Sequence, residues 1–173
     1  DVSSQRVSGG LTDNYNQRNK TLNLSDSVYN STSVAAIGVA AHETGHAIQH
    51  AYGYGPLSFR TALFPLASVG SQVSWILIVL GLIFGSTNIL IDIGILMFSL
   101  AVLFQLVTLP VEFNASARAL QLLESEGFLY GDENRQAKKV LSAAAMTYVA
   151  AAATAILQLL RLIILAGGRR DRD

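Results

Sequence analysis

The stretch AAHETGHAIQH, residues 40–50, holds all three histidines of a 173-residue chain. His42 and His46 are four residues apart, a spacing that stacks them on one face of a helix about 6 Å apart along its axis. Two imidazoles so placed can converge on one ion. Glu43 lies a step further round, where it reaches a water on that ion without ligating the ion itself. This is the H-E-x-x-H arrangement, in which the glutamate is a general base for metal-assisted hydrolysis. The chain has no cysteine, which excludes disulfides and thiolate metal sites. His50 is roughly 12 Å from His42 along a straight helix and about 80° round it. Bonds of about 2.0–2.1 Å to a single zinc cannot span that distance, so His50 is expected beside the site and not as a ligand. With no histidine left, the third ligand must be a carboxylate, as in catalytic zinc sites of two His and one Glu with a fourth position for water.

Which carboxylate depends on the elements around it. Composition points to a membrane: 51% of residues are hydrophobic and 14% charged. No charge occurs between Arg60 and Asp92, between Asp92 and Glu112, or from Val140 to Leu160. A bilayer core takes about 20 apolar helical residues, and three spans are expected, at 66–84, 89–109 and 143–166. The polar GSTN at 85–88 would close the first two into a hairpin, which returns the chain to the side of His42. Glu112 comes one residue after VTLP, where the second span ends. Its helix presents Ala115, Ser116 and Ala119, small enough to pack against Ala41 and Gly45. Glu124 and Glu126 lie further out in a more charged stretch, so Glu112 is the expected ligand.

The H-E-x-x-H helix is expected to start at a cap from Ser31 or Thr32 and to stop at Gly53, Gly55 and Pro56. Residues 112–127 should form a further helix that turns at YGDE and resumes at NRQAKK. In the polar N-terminal arm, LTDNY and KTLNL alternate about the turn-rich NQRN, which predicts a small β-hairpin. The expected fold is therefore mainly α and membrane-embedded: three transmembrane helices, a metal-binding helix and a third-ligand helix at one membrane surface, and the hairpin. As a single domain it divides into 1–56 (hairpin and metal helix), 57–110 (transmembrane hairpin), 111–142 (third-ligand region) and 143–173 (third span and basic tail). Asp92 and Arg161, both inside spans, are expected to pair, since unpaired charge in hydrocarbon is costly.

GLTDNY, LSDSVY, VAAHETGHAIQHA, LPVEFNASARAL and AKKVLSAAAMTYVAAAATAILQLLRL together resemble the YugP-like family of bacterial integral-membrane neutral zinc metallopeptidases, from Leu11 to Leu162. Glu112 to Ala115 also resembles the third-ligand E-x-x-A of HtpX-type membrane gluzincins, with Ser116 where those carry an aspartate. The resemblance implies His42, His46 and Glu112 as ligands of one Zn2+ per chain, with Glu43 as the catalytic base. Members of the family usually begin with another membrane helix, which the sequence from Asp1 onward does not include.

The expected activity is thus zinc-dependent hydrolysis of peptide bonds in membrane or juxtamembrane proteins. His50, Tyr52, Tyr54 and Arg118 are candidates to stabilise an oxyanion, and His50, Ser116 and Arg118 are expected around the ligands. Substrate backbone could add as a strand at Lys20 to Leu24, which brings in Leu22 and Asn23. A zero net charge points to no nucleic-acid partner. The tail RRDRD favours a cytoplasmic C-terminus, whereas the family's usual architecture favours a cytoplasmic metal site, so the side stays open, as does the oligomeric state. The competing functions are a divalent-metal binding or transport protein and a catalytically silent membrane scaffold.

Overall fold

The computed structural model describes residues 1–84 and 88–170. Three strands, β1 (Ser3–Val7), β2 (Asn14–Asn16) and β3 (Thr21–Ser25), precede five helices. These are the short α1 (Asp26–Tyr29), then α2 (Val34–Ala51), α3 (Gly55–Phe84), α4 (Asn88–Ser125) and α5 (Asp132–Arg170). The chain gathers into two compact units, one of residues 1–57 with 110–147 and the other of 58–109 with 148–173.

In the first unit the expected hairpin is present: β2 and β3 pair antiparallel, Tyr15 opposite Leu22. The loop closes through Lys20 at φ 54°. A third strand was not foreseen. β1 runs parallel to β3 on its other side, Ser3 opposite Thr21 through Val7 opposite Ser25, giving the order β1-β3-β2. This corrects the expectation of a free edge at Lys20 to Leu24. Leu22 and Asn23 lie in a central strand paired on both sides, and Asn23 is further tied by Gln5 Nε2 donating to its Oδ1 at 2.7 Å and its own Nδ2 donating to Asn14 Oδ1 at 2.9 Å. The segment SSQRV has little apolar pattern, which is why it did not read as a strand.

α2 begins one residue beyond the expected caps. Ser33 Oγ accepts from the Ala36 N–H at 3.2 Å, satisfying one of the amides a helix start leaves open. The helix stops at Ala51, and Pro56 falls in the first turn of α3, where its missing N–H costs nothing. α2 buries its small-residue face. A Cβ on Gly45 would stand 2.4 Å from the Ala115 carbonyl oxygen, so α2 and α4 meet backbone to backbone as the small residues of α4 suggested. Around this crossing Ala41, Ala119, Leu123, Leu129, Ala137 and Leu141 form the core, flanked by Val34, Ile37 and Leu120. α4 ends in a Schellman closure: Gly127 takes φ 71°, the Phe128 N–H reaches the Leu123 carbonyl at 2.9 Å and the Gly127 N–H that of Glu124 at 3.2 Å, satisfying carbonyls of the last turn.

The helices outrun the apolar runs inside them. α3, α4 and α5 are each long and apolar enough to cross a membrane, and the expected spans lie within them. α4 continues through Pro110 into the segment that carries Glu112, so the second span and third-ligand helix are one element. α5 likewise begins at Asp132 and runs unbroken through the third span. Large apolar side chains such as Ile83, Leu157 and Ile164 face outward. Of the expected GSTN turn, 85–87 lie outside the described residues, as do the last three residues of the tail. Among the described residues Arg161 forms no ion pair, so the expected bond to Asp92 is not made.

Candidate metal centre

α2 sets His42 and His46 one turn apart with their rings edge to face, centroids 4.8 Å apart. α4 brings Glu112 against them. Glu112 Oε2 lies 3.1 Å from His42 Nε2 and 3.6 Å from His46 Nε2. One ligand atom from each residue falls within 4.8 Å of the others, a group that could hold a metal ion. Tetrahedral zinc with bonds of about 2.0–2.1 Å separates neighbouring ligand atoms by about 3.3–3.4 Å. The two observed separations fall on either side of that, so these residues fit zinc.

The ring nitrogens facing away from the cluster are fixed as well. His46 Nδ1 lies 2.9 Å from Gln49 Oε1. The Gln49 amide nitrogen already donates to the Val111 carbonyl at 2.8 Å and to Asn114 Oδ1 at 3.0 Å. Its oxygen must therefore accept, so His46 Nδ1 carries the proton and Nε2 is left as the ligand atom. His42 Nδ1 lies 3.0 Å from Ser116 Oγ, a hydroxyl able to accept from it and so leave Nε2 free toward Glu112. Gln49 is completely buried and joins α2 to α4. Asn114 Oδ1 passes the chain on by accepting from Arg118 Nε at 2.8 Å.

Glu43 is buried beside the cluster without belonging to it. Burial pushes its carboxyl above the usual value, with Glu112 adding to the shift; the His46 and His42 rings and a hydrogen bond from the Tyr15 backbone N–H offset part of it. His46 experiences the opposite balance. Burial disfavours charge on its ring, but the hydrogen bond and charge of Glu112 outweigh it, and its pKa is raised.

Of the remaining residues singled out from sequence, Ser116 is brought to His42, while Arg118 stands one link removed, its guanidinium 5.9 Å from the centroid of the Tyr52 ring. His50 is outside the cluster; its Nδ1 meets the Tyr15 hydroxyl at 2.9 Å. Leu22 and Asn23 stay in the sheet. Sequence reasoning missed Gln49, Asn114 and Tyr15. Gln49 lies three residues after His46, a spacing at which helical side chains meet, and could have been found. Tyr15 has no such signal, because it reaches Glu43 and His50 only through the pairing of β2.

The chain matches, over residues 1–167, the profile of a family described as "Putative neutral zinc metallopeptidase". It is 48% identical to a Bacillus subtilis (strain 168) protein named "Putative membrane protease YugP", the alignment covering 100% of this chain and 76% of the relative. No solved structure matches it. With three helices able to cross a bilayer, the chain is a multi-pass membrane protein.

Proposed function

The chain belongs to the neutral zinc metallopeptidase family, and from that premise we propose that it is a membrane endopeptidase with one zinc ion on His42, His46 and Glu112. The observation that carries the reading is the meeting of two imidazole Nε2 atoms with the Glu112 carboxylate, both rings being locked from behind by Gln49 and Ser116. Zinc, when bound, would polarise the scissile carbonyl and acidify a water beside it.

Glu43 takes the proton of the attacking water and later delivers it to the leaving amine. A general base works best with a pKa near the working pH, and burial moves Glu43 in that direction. The Tyr15 amide holds the Glu43 carboxylate in place. It belongs to β2, whose one side is taken by β3, so the opposite side of β2 is the edge along which an extended substrate would lie. This replaces the β3 edge expected from sequence. Backbone pairing there would give affinity with little dependence on side chains. Membrane proteins and their juxtamembrane tails are the substrate class, because Glu112 stands on the same continuous helix as an apolar span, three residues past Leu109.

The test is metal analysis combined with one substitution. Purified protein should contain about one zinc per chain. Chelation should abolish cleavage of a tethered membrane substrate and zinc should restore it. Glu43→Gln should keep the zinc and lose about 100-fold or more in rate. Substantial cleavage by Glu43→Gln would remove the general-base role and leave a metal-binding protein.

A further inference from the structure

The apolar helices of the second unit do not pack equally. α3 and α4 are in close contact: a Cβ on Gly94 would lie 2.7 Å from Ile78 Cγ1 and 3.0 Å from the Ser74 carbonyl oxygen. α5 is much less covered, with 11% of its most apolar stretch buried against 28% for α3. Between them lies a cavity of about 200 Å³, to which α3 gives Trp75 and Ile78, α4 gives Ile91 and α5 gives Leu162 and Leu165. Two polar side chains of α5, Gln158 and Arg161, also line it. Residues 158, 161, 162 and 165 follow helical spacing, so the polar and apolar positions form one stripe along α5.

A guanidinium exposed at the wall of an apolar slot, within a membrane-spanning helix, needs an anion. Arg161 lies within a helix able to cross the membrane and forms no ion pair among the described residues, and an unpaired charge in hydrocarbon costs several kcal/mol. We propose that this cavity binds an anionic phospholipid of the surrounding bilayer, with one acyl chain in the slot and the phosphate on Arg161. Three features select that ligand. The cavity is smaller than the roughly 300–1,000 Å³ typical of sites for compact drug-sized molecules, which suits a slender chain. The planar guanidinium matches phosphate oxygens two at a time, and Gln158 supplies a further donor one turn away. The depths also agree. Seven residues, about 10 Å of helix, separate Arg161 from Gly168, after which the sequence turns to the charged RRDRD. Its long stem can snorkel toward the headgroups, while Gln158 lies a turn deeper, where an acyl chain runs.

Trp75 is the only tryptophan in the chain and lines this cavity, so the protein carries its own reporter. The full chain would be placed in vesicles of phosphatidylcholine and phosphatidylglycerol, with either lipid in turn carrying bromine on its acyl chains, and quenching of Trp75 followed. Brominated phosphatidylglycerol is expected to occupy the site about fivefold more readily than brominated phosphatidylcholine. Arg161→Gln should bring that ratio to about one, and Arg161→Lys should keep part of it. Equal occupancy by the two lipids in the unmodified protein would overturn the proposal, and this comparison does not depend on any variant folding. An Arg161→Gln protein that kept the full preference would also overturn it.

Discussion

Replacing Gly45 by alanine should empty the metal centre while leaving α2 helical. The added Cβ would stand 2.4 Å from the Ala115 carbonyl oxygen and 3.0 Å from its carbon. Carbon–oxygen contacts between packed backbones settle at about 3.3–3.6 Å, so the deficit is about 1 Å. The obstacle is mid-helix backbone and cannot swing aside, so α2 has to move off α4. Gly45 is next to His46 and three residues from His42. The same shift would open the 3.1 and 3.6 Å separations from Glu112 to about 4 Å or more, beyond the edge of about 3.3–3.4 Å that zinc requires. Overpacking costs about 1–3 kcal/mol, and the helix preference of alanine over glycine returns about 0.8–1.0 kcal/mol. The net loss of stability should therefore stay near or below about 2 kcal/mol. A misplacement of this size at a reacting centre costs about 100-fold in rate. Thermal unfolding, zinc content by mass spectrometry and hydrolysis would be measured together on Gly45→Ala and on Gly38→Ala. Gly38 serves as the control because it lies in the same helix with its added Cβ 3.7 Å from Ala137 Cβ, an ordinary contact. It should keep zinc and activity and gain up to about 1 kcal/mol. Wild-type zinc and rate in Gly45→Ala, or equal damage in Gly38→Ala, would refute the reasoning.

Gln49→Leu removes the second bond on the Val111 carbonyl and leaves the buried His46 Nδ1 without its partner, so it should cost about 1–3 kcal/mol by denaturant unfolding and weaken zinc about 10–100-fold in competition titrations. Ser116→Ala removes only the anchor of His42 and should weaken zinc within the same 10–100-fold range without measurable loss of stability. Glu112→Ala removes the proposed third ligand and should abolish tight zinc binding; full zinc occupancy in that variant would place the third ligand elsewhere. Acid should release the metal early. Because Glu112 raises the pKa of His46, protons compete with zinc from a higher pH than at an ordinary imidazole of about 6.5. Affinity followed by metal-release titration should thus begin to fall above that value; a constant affinity down to pH 6 would contradict this.

The cluster itself was legible because its chemistry is written locally. His42 and His46 need only one helical turn, and Glu112 follows from counting two crossings of the membrane and asking which carboxylate returns first. Their small-residue neighbours Ala41, Gly45, Ala115 and Ala119 were legible for the same reason, since close helix crossings leave a compositional mark. The unforeseen features depend on pairing between segments far apart in the chain. β1 has almost no apolar alternation and is held in place by backbone bonds to β3, which changed the free edge of the sheet from β3 to β2. Tyr15 reaches Glu43 through that same sheet. The stop at Gly127 was foreseen, but the continuity of α4 and of α5 was not, for another reason: hydropathy marks where apolar character stops, whereas helical hydrogen bonding runs on until a residue such as Gly127 interrupts it.

Gln49 has a consequence for how the protein acquires its metal. Its amide joins α2 to α4 through the Val111 carbonyl and Asn114, bonds that involve no ligand atom. The two ligand-bearing helices are therefore clamped by contacts that survive demetallation, unlike small zinc domains whose metal affinity is also their folding energy. Under the proposed function, zinc would be a guest in a finished socket. Its removal should cost only the mass-action stabilisation that any tightly held ligand confers, and apo-protein should reload without a refolding lag.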